Sequence, residues 1–197
     1  MASRKRAEPT KQSDWSSLSL YLNMRKRAPR DPLTELFHRD RLLDELDLVM
    51  LMARSHKHPF ALAIIDLDDL KRINVAHKRQ TGDRLLAETA DLLRRSVRVM
   101  DFACRSGGDE FAVILPKSNV AGAKTFADRL LHKIRENVFC KSTHKLHITA
   151  SAGIVVLSPS HTILSSLTLL DRAKEERDKA KKLGGGQYSL ASEPGED

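Results

Sequence analysis

The sequence predicts an α+β domain, in which helices flank a mixed, largely antiparallel β-sheet that contains a β-hairpin. Short apolar segments with strand character alternate along the chain with longer segments of helical periodicity. Two of the strands are separated by a short turn that begins with Gly107-Gly108, a spacing typical of a β-hairpin. With 197 residues and 41% hydrophobic composition, the chain is long enough for one well-buried domain.

Residues 1–30 form a basic leader in front of this domain. They hold eight basic and two acidic residues, which account for six of the eight excess positive charges of the chain. Apolar residues from Trp15 to Arg27 recur at helical spacing and predict a short amphipathic helix. A basic leader can bind nucleic acid or another acidic surface, but we expect a partly disordered, solvated segment with no nucleic-acid partner.

The predicted domain spans residues 31–190 and is followed by a flexible acidic C-terminus at residues 191–197. It opens with a turn at residues 31–34 that leads into a helix, whose apolar positions form one buried stripe: Phe37, Leu42, Leu43, Leu46, Val49 and Leu51. A continuous apolar run predicts a buried strand at residues 60–66. Helical periodicity then predicts helices at residues 70–77 and 82–99.

The second half of the domain continues this alternation. The hairpin strands are expected at residues 102–104 and 110–115, and a helix at residues 120–137. Residues 147–157 are rich in β-branched side chains, so we expect a central strand there. A last helix, at residues 163–183, ends at three glycines, and a short strand follows at residues 187–190.

Composition excludes membrane-spanning and disulfide-rich classes. No apolar run is long enough to cross a bilayer, and residues 1–30 contain no secretory hydrophobic segment. Cys104 and Cys140 form neither a disulfide framework nor a metal-binding spacing. We therefore expect two buried thiols in a cytoplasmic protein that contacts no membrane, or in a soluble piece of a larger one.

The hairpin and the strand before it carry acidic side chains at their ends. The strand ends in Asp66 and is followed by Lys71, while the glycine turn is followed by Asp109 and Glu110. The two glycines are expected to supply positive φ and close backbone approach. If the strands are neighbours, Asp66 and Asp109 can bind one metal ion and Lys71 can reach phosphates, as in two-metal nucleotidyl transfer. A Gly-Gly turn beside acids is also common in a solvated hairpin without function.

Several motifs, in the same order, resemble those of the GGDEF family, the diguanylate cyclases that join two GTP molecules into cyclic di-GMP. They are Asp-Pro-Leu-Thr at 31–34, Asp-Leu-Asp-Asp-Leu-Lys-Arg-Ile-Asn at 66–74, Thr-Gly-Asp at 81–83 and Arg-Ser-Gly-Gly-Asp-Glu-Phe at 105–111. The resemblance runs from residue 31 to about residue 184. It implies the ferredoxin-like palm of nucleotidyl cyclases and a bacterial second-messenger enzyme that works as a homodimer, with one GTP on each subunit.

The resemblance also implies roles for residues. Asp66, the backbone carbonyl of Leu67 and Asp109 would hold Mg²⁺ or Mn²⁺, and Glu110 would assist metal binding or deprotonate the 3′-hydroxyl. Asp68 itself, by its position before a helix, is expected to be a structural acid that caps that helix, with metal binding as the alternative. The residues that would bind GTP are Leu70, Lys71, Asn74, Asp83, Gly107, Gly108 and Lys181. Among them, Asn74 and Asp83 would read guanine, although helix N-capping is an alternative role for Asp83.

A second site is implied by the segment Arg98-Val99-Met100-Asp101. It matches the Arg-x-x-Asp inhibitory site of the family, and Arg129 stands where a helix contributes a further arginine. Arginine suits this role because its planar fork binds phosphates and the O6/N7 edge of guanine. An ordinary surface pair of charges is the alternative. The resemblance favours binding of the product, cyclic di-GMP, as an allosteric inhibitor.

The chain departs from the family pattern at several positions. Residues 74–79 lack the acid, glycine and histidine of Asn-Asp-x-x-Gly-His, Leu70 replaces a phenylalanine, and Glu35 replaces a glycine. Gly185 stands where an arginine is expected to bind phosphate, and losing one such contact costs about 1.5–3 kcal/mol. Two functions stay open: an active, product-inhibited diguanylate cyclase, or a degenerate GGDEF domain that is a cyclic di-GMP receptor or a GTP-binding interaction module.

Overall fold

The computed structural model describes residues 25, 27–159 and 165–192. Most of the predicted leader helix and residues 193–197 of the predicted C-terminus lie outside these residues. The elements, in chain order, are β1 (Phe37–His38), α1 (Leu42–His56), β2 (Phe60–Leu67), α2 (Leu70–His77), α3 (Arg79–Arg94), β3 (Phe102–Gly107), β4 (Glu110–Pro116), α4 (Val120–Glu136), β5 (Ala150–Leu157), α5 (Ser166–Lys182) and β6 (Tyr188–Ser192).

The strands form one open sheet in the order β1-β3-β4-β2-β5-β6. The central strand β2 is antiparallel to both β4 and β5, and β3 and β4 form the predicted hairpin. The outer pairs, β1 with β3 and β5 with β6, are parallel. The prediction of a mixed, largely antiparallel sheet flanked by helices is therefore confirmed.

Helices cover both faces of the sheet. Alternate residues of a strand point to opposite faces, and on β2 one set, which includes Ile65, packs in a core with residues of α2, α3 and α4. The other set, which includes Ile64, packs in a second core with residues of α1 and α5. Asp66 follows in the same alternation as Ile64, so its side chain emerges on the face that α1 and α5 cover.

Several predicted boundaries were wrong. Phe37 does not begin a helix but lies in β1, where its ring stacks on Phe102 with the centroids 4.7 Å apart. This pairing keeps the chain extended, and α1 begins only at Leu42, after a 3₁₀ turn at Arg39–Arg41. Leu51, predicted to be buried, is 63% exposed. The helix α3 begins three residues earlier than predicted and ends at Arg94.

Within the described part of the chain, no helix combines the length and apolar character needed to span a membrane. Cys104 and Cys140 are both free and buried, as predicted. Burial raises the pKa of the Cys104 thiol to about 12, so this thiol stays protonated at neutral pH.

Candidate active site

The register of the sheet places two carboxylates side by side at the ends of β2 and β4. Asp66 lies directly opposite Glu110 in the antiparallel pairing. The backbone N–H of Leu67 donates to the carbonyl oxygen of Asp109 at 3.4 Å, so the hairpin turn closes against the same strand end. Like charges that face each other across strands repel. This arrangement therefore calls for a cation between them.

Two basic side chains of α5 supply positive charge at this point. The ammonium Nζ of Lys181 lies 2.5 Å from Oδ1 of Asp66. The guanidinium of Arg177 lies 3.4 Å from Oδ2 of Asp66 and also forms an ion pair with Glu110. Arg177 and Lys181 are one helical turn apart and so share one side of α5.

Arg177 was not among the residues predicted from the sequence. The available signal was its spacing, because Leu169, Ala173, Arg177 and Lys181 recur every four residues. The first two are buried in the core that α1 and α5 share. The apolar stripe of α5 thus continues into a basic one, at the point where β2 and β4 end in acids.

Asp66 is only 7% exposed. Burial is the main cause that raises the pKa of its carboxyl group, and the charge of Asp109 raises it further. The hydrogen bond and charge of Lys181 and the charge of Arg177 act in the opposite direction without cancelling the rise. Burial and the nearby charge of Asp109 thus both disfavour the charged form of Asp66, and the two basic side chains of α5 favour it.

The donor set fits a hard divalent cation. Across the described ranges, no group of three or more His, Cys, Asp or Glu side chains is arranged to bind a metal ion. The predicted set differs from such a group, because it contains two carboxylates, of Asp66 and Asp109, and the carbonyl oxygen of Leu67. Oxygen ligands of this kind are those that Mg²⁺ and Mn²⁺ prefer. In this structure, Asp66 is paired with Lys181 and Arg177.

The side chain of Arg105, in β3, binds the hairpin turn and links it to Asp31. Its Nη2 and Nε donate to the carbonyl oxygen of Gly108 at 2.7 and 3.1 Å, and its Nη1 lies 3.4 Å from Asp31. The hydroxyl of Ser106 donates to Glu110 at 2.8 Å. These contacts fix the turn relative to the strands, so Asp109 and Glu110 are held in place.

The prediction that the two hairpin glycines adopt positive φ was wrong. Among the described glycines, positive φ occurs at residues 184–186, and neither Gly107 nor Gly108 has it. A bulge between Arg105 and Gly107 shapes the hairpin instead. A Cβ atom added at Gly107 or Gly108 would meet nothing within 4 Å. The glycines therefore leave open space above the turn, which suits the predicted close approach of a ligand.

The predicted guanine readers lie together on α2 and α3. The amide of Asn74 packs over Gly82, where a Cβ would lie 1.8 Å from the Asn74 Oδ1. That oxygen is buried and has no hydrogen-bond partner within the described part of the chain. Asp83 lies inside α3, whose N-cap is Lys78, so the N-capping alternative for Asp83 is excluded. Lys71 is exposed in the first turn of α2, while Leu70 packs in the core.

Asp68 is a structural acid, but it does not cap α2 as predicted. The N-cap of α2 is Asp69, which makes no side-chain capping hydrogen bond. The carboxylate of Asp68 instead accepts hydrogen bonds from the hydroxyls of Thr149 and Ser151, at 2.6 and 2.7 Å, and from the N–H of Gly186 at 2.9 Å. Asp68 thus ties β5 to the turn that follows α5.

The turn after α5 has a backbone conformation that suits the glycine at residue 185. Gly185 has φ +72°, and a Cβ on it would lie 3.2 Å from Asp68 Oδ2. An L-residue is strained in this left-handed conformation. The turn therefore favours glycine, and the phosphate-binding arginine of the family pattern has no equivalent at this position.

Arg98, Asp101 and Arg129 line one pocket of about 140 Å³, which we call the effector pocket. Asp101 is 8% exposed, and burial is the main cause that raises the pKa of its carboxyl group. Its Oδ2 accepts a hydrogen bond from the backbone N–H of Arg98 at 2.7 Å. The guanidinium of Arg129 donates to the carbonyl oxygen of Ser96 at 2.7 Å. The structure thus brings together the three residues predicted for the inhibitory site.

Arg25 connects the end of the leader to this pocket. Its guanidinium donates to the carbonyl oxygens of Val99, Met100 and Asp101 at 3.0–3.3 Å. It also lies 3.4 Å from Glu45 of α1. Arg25 is therefore attached to the loop that carries Arg98 and Asp101.

Comparison with known proteins places this arrangement in a family. The diguanylate cyclase GGDEF-domain model matches residues 28–187. Diguanylate cyclase DgcP of Pseudomonas aeruginosa is 32% identical over 171 residues, which cover 86% of this chain and 25% of that protein. The bifunctional diguanylate cyclase/cyclic di-GMP phosphodiesterase MucR of the same organism is 36% identical over 66% of this chain and 19% of its own length. The chain thus spans a quarter or less of these two curated relatives.

Solved structures show the same fold. The GGDEF domain of DgcB from Caulobacter crescentus, in complex with c-di-GMP, superposes with a TM-score of 0.75 at 27% identity, covering 83% of this chain and 94% of that one. Diguanylate cyclase SiaD from Pseudomonas aeruginosa, in complex with its activator SiaC, superposes with a TM-score of 0.78 at 27% identity, covering 92% of this chain and 68% of that one.

Proposed function

The chain belongs to the GGDEF family of diguanylate cyclases, and from this premise we propose that it condenses two GTP molecules into cyclic di-GMP and two pyrophosphates. The observation that carries the proposal is the convergence of acids and bases at one end of β2 and β4. Asp66 and Glu110 face each other there, the turn with Asp109 closes against them, and α5 brings Arg177 and Lys181.

Formation of a 3′-5′ phosphodiester needs an activated 3′-hydroxyl, an α-phosphate in line with it, and neutralisation of the departing pyrophosphate. Asp66, the carbonyl of Leu67 and Asp109 would hold Mg²⁺ or Mn²⁺. A cation held there supplies positive charge to the phosphate oxygens. Glu110 either adds a ligand oxygen or accepts the proton of the 3′-hydroxyl.

Basic and backbone groups would bind the rest of the triphosphate. Lys71 is exposed beside the strand end, and Lys181 already contacts Asp66. The open space above Gly107 and Gly108 admits phosphate oxygens close to the backbone. Each subunit would hold one GTP in this way, so a homodimer with two facing sites is required to close the ring.

Asn74 and Asp83 would read the guanine base. The carboxylate of Asp83 can accept hydrogen bonds from N1-H and the N2 amino group, and the amide of Asn74 can serve the neighbouring edge. The support is the position of both residues around Gly82, together with the unpaired amide oxygen of Asn74. This pair would select GTP over ATP.

The test is direct. The purified chain is incubated with GTP and Mg²⁺ or Mn²⁺, and the nucleotides are separated by chromatography. We expect cyclic di-GMP from the wild-type chain, none from Asp109→Ala, and an unchanged yield from Asp47→Ala, which removes an exposed acid of α1. Product formation by Asp109→Ala at the wild-type rate would contradict the proposal.

A second candidate function is that of a cyclic di-GMP receptor without turnover. It is favoured by the effector pocket, where Arg98, Asp101 and Arg129 lie together, and by the absence of an arginine at Gly185. Tight binding of cyclic di-GMP that is lost in Arg98→Ala, with no product formed from GTP, would select this function. If the chain does form cyclic di-GMP from GTP, binding of this product at the effector pocket would instead inhibit the enzyme.

A further inference from the structure

We propose that Arg177 couples the binding of the divalent cation to the binding of the triphosphate. In the nucleotide-free chain it is the resident counter-cation of Asp66 and Glu110, and in the loaded chain it is a phosphate ligand. The inference rests on the proposed function, because it deepens the account of the same site.

The fold forces the Arg177 side chain towards the carboxylates. The helix α5 lies against β5 at Gly153, where an added Cβ would come within 2.1 Å of the Arg177 backbone nitrogen and 2.0 Å of the Ala173 carbonyl oxygen. Ala173 is fully buried on this side of α5, and Arg177 follows one turn later. The side chain of Arg177 is only 15% exposed. It therefore lies between α5 and the ends of β2 and β4.

The positive charge of Arg177 disfavours the binding of a divalent cation when no nucleotide is bound. Its guanidinium contacts Asp66 and Glu110, and so neutralises the two acids that face each other across the strands. A divalent cation bound by Asp66 must either displace this guanidinium or lie beside it. Repulsion between like charges is strong at such separations in a site with little water. We therefore expect weak binding of the cation in the absence of nucleotide.

A bound triphosphate would offset the repulsion between Arg177 and the divalent cation. It brings negative oxygens into the same site, and a planar guanidinium binds phosphate with two parallel hydrogen bonds. Lys181, one turn further along α5, points to the same carboxylate and can move with Arg177 to the phosphates. With a cation bound to Asp66, Arg177 would be free to contact phosphate, a contact that Gly185 cannot make because it has no side chain. Cation and triphosphate then favour each other's binding.

The experiment measures binding rather than turnover. Binding of Mn²⁺ alone is followed by the electron paramagnetic resonance signal of the free ion, and binding of a non-hydrolysable GTP analogue with Mn²⁺ by calorimetry. For Arg177→Met we expect Mn²⁺ alone to bind about tenfold more tightly, and the analogue about tenfold more weakly. The matched control Lys182→Met removes the same charge from an exposed position of α5 and should change neither affinity.

The outcomes are decisive. A folded Arg177→Met chain with wild-type affinity for Mn²⁺ alone would overturn the proposal, whatever its affinity for the analogue. If that variant fails to fold, Arg177→Gln removes the charge while keeping a hydrogen-bonding side chain, and the same criterion applies. Absence of cyclic di-GMP from the wild-type chain would overturn the proposed function but leave the coupling intact. Product formation without the expected affinity shifts would overturn the coupling alone.

Discussion

The candidate active site and the effector pocket both combine carboxylates with arginines, but the carboxylates of the two sites have different hydrogen-bond and charge partners. At the active site, Asp66 is buried and α5 brings Arg177 and Lys181 into contact with it. In the effector pocket, Asp101 is buried and held by the backbone N–H of Arg98, while the Arg98 side chain is exposed. The carboxylate of the first site is thus paired with basic side chains, whereas that of the second is bound by its own turn beside an exposed guanidinium.

This difference follows from where each acid lies in the fold. Asp66 ends a strand whose neighbour ends in Glu110, so the two charges need an external partner. Asp101 closes a local turn, in which its backbone N–H also donates to the carbonyl oxygen of Arg98 at 3.1 Å. A carboxylate satisfied by its own turn leaves the nearby guanidinium available to a ligand.

The largest expected effect is that of Asp66→Asn, which should impair the candidate active site and leave binding at the effector pocket unchanged. Without the negative charge of this expected metal ligand, the rate of cyclic di-GMP formation should fall about a thousandfold. The free energy of unfolding should change by less than about 1 kcal/mol, because a buried charge is removed, Arg177 keeps its ion pair with Glu110, and Lys181, which loses its partner, is 36% exposed and can be hydrated. Rate assays and urea unfolding measure the two quantities. An equal loss of cyclic di-GMP binding at the effector pocket would contradict the separation.

A smaller effect is expected for Asp83→Ala, which tests whether the two sites read guanine independently. Losing the hydrogen bonds to a charged acceptor should lower kcat/KM for GTP about 10- to 100-fold. The much lower rate with ATP should stay unchanged, since adenine lacks the donors that Asp83 would bind. The concentration of cyclic di-GMP that halves the rate should also be unchanged. A parallel fall with both nucleotides would show that Asp83 only supports the structure.

The smallest effect concerns the two glycine turns that border the active site. Gly185→Ala should destabilise the fold by about 1 kcal/mol, because Gly185 has φ +72° and Asp68 lies next to it. Gly107→Ala is the matched control and should leave stability unchanged, since its φ is not positive and the space around it is open. Thermal unfolding of both variants provides the measurement. Equal destabilisation would show that the hairpin turn is as constrained as the turn after α5.

The sequence predicted the fold better than the site. The apolar run that forms β2, the glycine turn between β3 and β4 and the amphipathic α3 and α4 each have one strong local pattern, and the structure confirms them. Phe37 was misplaced because its partner, Phe102, is distant in the chain. A stacking contact between remote residues leaves no periodicity to detect.

At the candidate active site, too, the decisive contacts join residues that are distant in the chain. The acids at the strand ends were visible, but the strand register that sets Asp66 against Glu110 was not. Arg177 was missed because its direction depends on where α5 touches β5, and that contact is set by Gly153. The positive φ assigned to the hairpin glycines was wrong because a bulge, which the residue types do not reveal, shapes the turn.

The most direct test of two separate sites is the inhibition of cyclic di-GMP formation by added product. Initial rates are measured for the wild type, Arg98→Ala and Arg95→Ala, each relative to its own rate without product. We expect the half-inhibitory concentration to rise about 10- to 100-fold in Arg98→Ala, because one charge-assisted contact is lost. Arg95 is exposed outside the pocket, so Arg95→Ala should match the wild type. Inhibition of Arg98→Ala at the wild-type concentration would contradict the account, since product would then act at the carboxylate site itself.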